Sequence, residues 1–163
     1  MSAKPMIFQT PKVAKLLKAN RFTLNRLMVR AGIETSFGSR GRGKQLIFTV
    51  EDVGKAAIAY WLFRSGLRTR AIKQGLAHRK TTELCRKLGG VEEIIEASAE
   101  SKFLVTWRLA KGKKASQEIE IERDFAGLEQ VLLNGEQYGF VVVPIGRLLK
   151  DLAQRISESD VKG

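Results

Sequence analysis

Apolar residues recur along the first part of the chain at helical spacing. Thr10-Pro11 sets a capping side chain before a proline, and Val13, Leu16 and Leu17 follow at i, i+3, i+4, which predicts a short helix ending near Lys18. Asn20 caps a second helix over 20–31, in which Leu24, Leu27, Met28 and Ala31 form one buried stripe and Gly32 supplies the stop. A hairpin is expected next, with strands near Glu34 to Phe37 and Gln45 to Phe48 around a glycine-rich tip. Thr49 and Asp52 have the spacing of a capping box and open a helix that should end before Gly66. Its Ala56 to Phe63 segment is apolar on nearly every side, as in a central core helix or a subunit contact. A fourth helix, from about Arg68 to Leu76, turns Ala71, Ile72 and Leu76 inward.

Gly89-Gly90 then divides two short helices. From Lys102 the period falls to two: Phe103, Val105, Trp107 and Leu109 are read as alternating with polar, outward positions, "KGKK" turns, and Ile119 and Ile121 alternate with Glu118, Glu120 and Glu122. Asp124 caps a helix with Phe125, Leu128 and Leu132 on one face, "YGFVVV" is a buried strand, and Pro144 begins a last helix with Ile145, Leu148, Leu149, Leu152 and Ile156 inward. The expected fold class is α+β, a winged helix-turn-helix domain over 1–80 followed by a small ββαβα domain over 101–157. Residues 81–100 would be a helical linker and 158–163 a disordered tail.

Charge divides the chain in the same place. The net +12 is uneven: residues 1–80 carry 17 Lys/Arg against 3 Asp/Glu, and residues 81–163 carry 12 against 14. A basic field of that size on a small domain attracts a polyanion. An anionic membrane fits least, because the basic half has no lysine-rich amphipathic helix with a broad aromatic face. The start, "MSAKPMIFQTPK", has no continuous apolar region, and the expected location is cytoplasmic. Cys85 is the only cysteine and His78 the only histidine, so one chain builds neither a disulfide nor a His-Cys metal cage, and no metal or cofactor is expected. Cys85 suits a small core position and His78 a solvated helix end. No Ser/His/Asp set or paired-carboxylate constellation stands out, so catalysis is not expected.

The stretch "SFGSRGRGKQLIF" raises a specific alternative. Gly38 to Lys44 meets all but the last position of the P-loop pattern, in which backbone N–H groups and a lysine hold phosphates. A P-loop needs a buried strand before its glycines and a helix directly after its lysine. "AGIETS" is not a core strand, Gln45 to Phe48 is strand-like, and Gln45 replaces the hydroxyl that would hold magnesium. A wing over 38–45 uses the same residues better: glycines let the tip follow a phosphate backbone, and Arg40, Arg42 and Lys44 neutralise it. A solvated charged turn has the same composition.

The outward stripe of the second helix holds Phe22, Asn25, Arg26, Val29 and Arg30, with Arg21 at its start. Asn and Arg pair bidentately with adenine and guanine edges in a major groove. Phe22 suits either a thymine methyl or a hydrophobic staple toward Met28's side of the core. Lys15, Lys18, Arg68, Arg70 and Lys73 suit phosphates, and equally suit water.

The succession of two helices with "LNRLMVRAGI", hairpin, "FTVEDV", helix and "SGLRTRAIKQGL" resembles the winged-helix DNA-binding domain of MerR-type transcriptional regulators over about residues 8–76. Arg26 falls at that family's recognition-helix arginine, Gly32-Ile33 at its end, Phe48, Asp52 and Val53 after the wing, and Gly66-Leu67 with Ile72 in the last helix. The resemblance implies sequence-specific binding of double-stranded DNA and transcriptional regulation. A homodimer is expected because a single recognition helix reads few base pairs and paired half-sites double that. Gly89-Gly90 interrupts the long helix through which such regulators pair, so the expected contact is the Ala56–Phe63 helix or the last helix around Leu149 and Leu152. Two other readings stay open: an RNA-binding or ribosome-associated protein, and a protein-interaction module whose basic half binds nucleic acid non-specifically.

Overall fold

A computed structural model describes residues 6–35, 46–108, 117–122, 124–133 and 140–160. Its elements run β1 (Phe8–Gln9), α1 (Thr10–Leu16), α2 (Arg21–Ala31), β2 (Ile47–Phe48), α3 (Val50–Arg64), α4 (Thr69–Ala77), α5 (Arg79–Arg86), α6 (Val91–Glu100), β3 (Phe103–Arg108), β4 (Gln117–Glu122), α7 (Phe125–Leu133), β5 (Phe140–Val143) and α8 (Ile145–Asp160). The chain is α+β.

α3 is the buried axis of the basic half. Ala56, Ala57, Ile58, Ala59, Tyr60 and Leu62 are all buried, so most of its apolarity is used inside the chain, with Trp61 half-buried and Phe63 exposed. The capping box forms in both directions: Asp52 N donates to Thr49 Oγ1 at 3.2 Å, and Thr49 N donates to Asp52 Oδ2 at 2.9 Å. Thr49 Oγ1 also donates to Asp52 Oδ2, so the buried carboxylate takes its hydrogen bonds at the helix end where negative charge is favoured. α2 packs on α1, α3 and α4. In α4 only Ile72 of the three expected residues is fully buried; Ala71 and Leu76 are half-buried.

The expected pairing of Glu34–Phe37 with Gln45–Phe48 is corrected where the structure describes it. Glu34 and Thr35 are not in a strand, and Ile47–Phe48 pairs antiparallel with Phe8–Gln9, Phe8 opposite Phe48. Both phenyl rings are buried, and that shared burial selects the partner.

The ββαβα order of the second half is as expected, with the antiparallel sheet ordered β4-β3-β5. β3 is its centre, and its adjacent residues Leu104 and Val105 are both buried, one on each face. Val105 packs with Phe103, Phe140, Leu128 and Leu132 under α7, whereas Leu104 points into the main cluster with Val143. The alternation expected of a strand with one wet face therefore fails at Leu104, because α8 covers the second face. Phe125 is corrected as well: it is 76% exposed, and its ring meets Phe103 at 5.0 Å between centroids without entering the core.

Ile145, Leu149, Leu152 and Ile156 of α8 are buried as expected, and Leu148 is half-buried. Leu149, Leu152 and most of the apolar run of α3 are thus packed within one chain, which leaves Trp61 and Phe63 as the part of the expected dimer surface that reaches the outside. Of the tail expected over 158–163, residues 158–160 continue α8, with Gln154 donating to Glu158, and 161–163 lie outside the described residues. One hydrophobic cluster joins the two halves of the chain. It takes Phe8 and Val13 from the start, Leu84, Cys85, Ile94 and Ala97 from the expected linker, and Ile156 from α8. Arg155 Nη1 donates to the Leu16 carbonyl at 2.9 Å, tying α8 to the end of α1. No described helix is long and apolar enough to cross a membrane.

Candidate nucleic-acid interface

The connection from α1 to α2 is a left-handed turn. Ala19 N donates to Ala14 O at 2.8 Å and Lys18 N to Lys15 O at 3.1 Å, which places Lys18 at φ +52°. α2 ends in the same way: Ile33 N donates to Met28 O at 2.9 Å, Gly32 N donates to Val29 O at 3.3 Å, and Gly32 sits at φ +67°. Between these turns Asn20 Oδ1 accepts from Phe22 N at 2.9 Å and from Thr23 N at 3.4 Å, satisfying two of the donors that a helix start leaves open. Leu24, Leu27, Met28 and Ala31 are buried, as their spacing predicts. α2 is therefore held at both ends and along one face, and its other face is presented on a fixed support.

That other face holds most of the expected contact residues. Arg21, Phe22, Arg26, Val29 and Arg30 are exposed, and Asn25 is half-buried at the edge of the stripe. Phe22 does not act as a staple, since a ring packed on the core would not be 81% exposed. Lys15 and Lys18 are exposed on the α1 side. Arg68, Arg70 and Lys73 are exposed at α4, and the Lys73 stem crosses the end of α2, its Cε 3.4 Å from where a Cβ on Gly32 would stand. Its ammonium group thus lies near the negative end of the α2 dipole. Arg40, Arg42 and Lys44, with the rest of the expected wing over 38–45, lie outside the described residues.

α1, α2 and α4 contain no Asp or Glu. Described ion pairs occur elsewhere: Lys55 with Glu51 at 2.7 Å, Arg79 with Glu83 at 2.8 Å, and Lys87 with Glu100 at 2.9 Å. The hydrogen bond from Arg79 lowers the Glu83 carboxyl pKa, but this pair stands in water and adds little to stability. The three helices themselves therefore carry cations only, while α4 packs against β4, whose sequence holds Glu118, Glu120 and Glu122.

Two grooves border this surface. One, of about 510 Å³, runs below the end of α2 between Gly32, Glu51, Lys55, Lys73, Cys85 and Arg86. The other, of about 520 Å³, lies between α1 and α8 and brings Lys12 and Lys15 beside Arg155 and Glu158. Lys12 and Arg155 were not among the expected contact residues. Lys12 also sits over the Phe8 ring at 5.4 Å. A side chain arriving from 139 positions along the chain leaves no local signal.

No protein-family model matches the chain, and a search of curated proteins finds no match.

Proposed function

We propose that this protein binds double-stranded DNA through α2 and acts as a transcriptional regulator. The observation that carries this reading is the α2 face itself: a helix capped, packed and stopped by its neighbours, with Arg21, Asn25, Arg26 and Arg30 outward on a surface whose helices have no carboxylate. Arginine and asparagine are the side chains that hydrogen-bond bidentately to guanine and adenine edges, and a rigid helix is the element that enters a major groove. Lys15 and Lys18 at the end of α1, with Arg68, Arg70 and Lys73 at α4, would contact the phosphates that flank such a helix. The basic segment 38–45, as a wing, would add Arg40, Arg42 and Lys44 to the backbone contacts. The ββαβα half serves self-association or a protein partner, and a homodimer would read paired half-sites.

The test is competition at one fixed salt concentration between a random-sequence DNA duplex and a structured RNA of equal length, followed by selection of a preferred duplex. Preference for duplex DNA and enrichment of a defined site support the proposal. Preference for the RNA replaces it with RNA binding, and equal affinity for every duplex replaces it with non-specific binding.

A further inference from the structure

The outward crest of α2 is apolar. Phe22 is 81% exposed and Val29 59%. At 100° per residue these two lie only about 20° apart, opposite the centre of the buried Leu24/Leu27/Met28/Ala31 stripe. Arg26 and Asn25 stand on either side of them, with Arg30 and Arg21 farther round. Single exposed apolar residues need no explanation. Two in register on the crest of a cationic face do, because neither phenylalanine nor valine is favoured in a wet helix over Lys, Gln or Glu.

The spacing fits one kind of occupant. Seven residues of helix span about 10.5 Å, which for a helix lying in the groove at an angle to the duplex axis projects onto at most about three base-pair steps of about 3.4 Å each. Of the groups that base pairs display in the major groove, the thymine 5-methyl is the apolar one, and phenyl and aliphatic side chains are its partners. The flanking arginines and the lack of any carboxylate in α1, α2 and α4 favour a polyanion over an apolar protein surface at this face. Resting on the duplex-binding reading above, we infer that Phe22 and Val29 recognise thymine methyl groups on two base pairs separated by no more than about three steps. Asn25 and Arg26 address the bases between them. The preferred site then carries thymine at both positions.

The experiment removes only the methyl groups. The preferred duplex, selected from a random pool with the full chain, is resynthesised with deoxyuridine for thymidine, which leaves Watson–Crick pairing and charge unchanged. Affinity should fall about fourfold for each contacted methyl, and by roughly tenfold or more for two, on the transfer free energy of one buried carbon. Phe22→Ala should weaken binding to the thymine duplex and shrink the thymine-to-uracil ratio by about fourfold. The double variant Phe22→Ala with Val29→Ala should bring that ratio to one. Arg26→Ala should weaken both duplexes and leave the ratio as in the wild type. Equal wild-type affinity for the two duplexes overturns the inference while leaving duplex binding standing. So does a Phe22→Ala loss that is the same on both. Absence of duplex binding at low salt overturns the inference together with the reading on which it rests.

Discussion

Gly54 of α3 lies against Leu88, close enough that a Cβ added to the glycine would stand 2.6 Å from Leu88 Cδ1 and 3.0 Å from its Cβ. The contact joins the buried axis of the basic half to the turn after α5. Ordinarily Gly→Ala inside a helix gains about 0.8–1 kcal/mol. Here overpacking, which costs about 1–3 kcal/mol, should outweigh that gain and lower the melting temperature of Gly54→Ala. The added Leu88 substitution supplies the check: in a double-mutant cycle, Gly54→Ala should become neutral or stabilising in the Leu88→Ala background.

Lys18 separates stability from binding. It is a lysine at φ +52° in the turn that ends α1, a conformation in which a Cβ is strained and glycine is not. Lys18→Gly should therefore raise stability by up to about 1 kcal/mol in denaturant melts. As an exposed phosphate contact it should also lose affinity for all duplexes alike, with the salt slope shallower by about one unit. A loss of affinity through unfolding would show the opposite sign in the melt.

Arg26→Ala and Lys15→Ala should fail in different ways. Base contacts specify and phosphate contacts position. Removing the Arg26 guanidinium should cost about 1–3 kcal/mol on the preferred site and less on a scrambled one, whereas Lys15→Ala should weaken both equally. Both side chains are exposed, so neither melt should move by more than about 0.5 kcal/mol. Paired affinities for the two duplexes at one salt concentration decide the matter.

Cys85 should make the fold sensitive to alkali. Burial pushes its thiol up to about 11 from an ordinary value near 9, with Lys55 opposing the rise and Glu51 adding to it. The folded state thus holds the proton more tightly than the unfolded one. This contribution is complete below about pH 9 and is lost as pH climbs toward 11, to a total of about 3 kcal/mol. Urea melts of wild type and Cys85→Ala should converge over that window, since the variant lacks the titration. At pH 8 iodoacetamide should modify the folded chain slowly and the unfolded chain readily.

Much of the α2 face was legible locally. Asn20, Gly32 and the i, i+3, i+4, i+7 stripe announce a start, a stop and a buried side within a dozen residues, and the Thr49/Asp52 pair does the same for α3. The ββαβα order followed from a change of period and from turn residues. These signals act between neighbours, so the chain carries them without its fold. The Lys18 turn has the hydrogen bonds that close α2 at Gly32, yet without a glycine the residues gave only a helix end near Lys18 and not its left-handed conformation.

Tertiary structure decided what depends on distant partners. A two-residue strand has no period, so the pairing of Phe8 with Phe48 could arise only when both rings sought the same core. Leu104 is buried because α8 happens to cover its face, and Phe125 is exposed because α7 turns it aside, although alternation and helical spacing suggested otherwise. Leu149 and Leu152 looked available to a second subunit until α8 spent them inside the chain. Charge and local caps are properties of the residues in order, whereas burial is a property of what the folded chain brings beside them. The exposed crest of Phe22 and Val29 on a cationic helix therefore needed both the sequence and the fold to be seen.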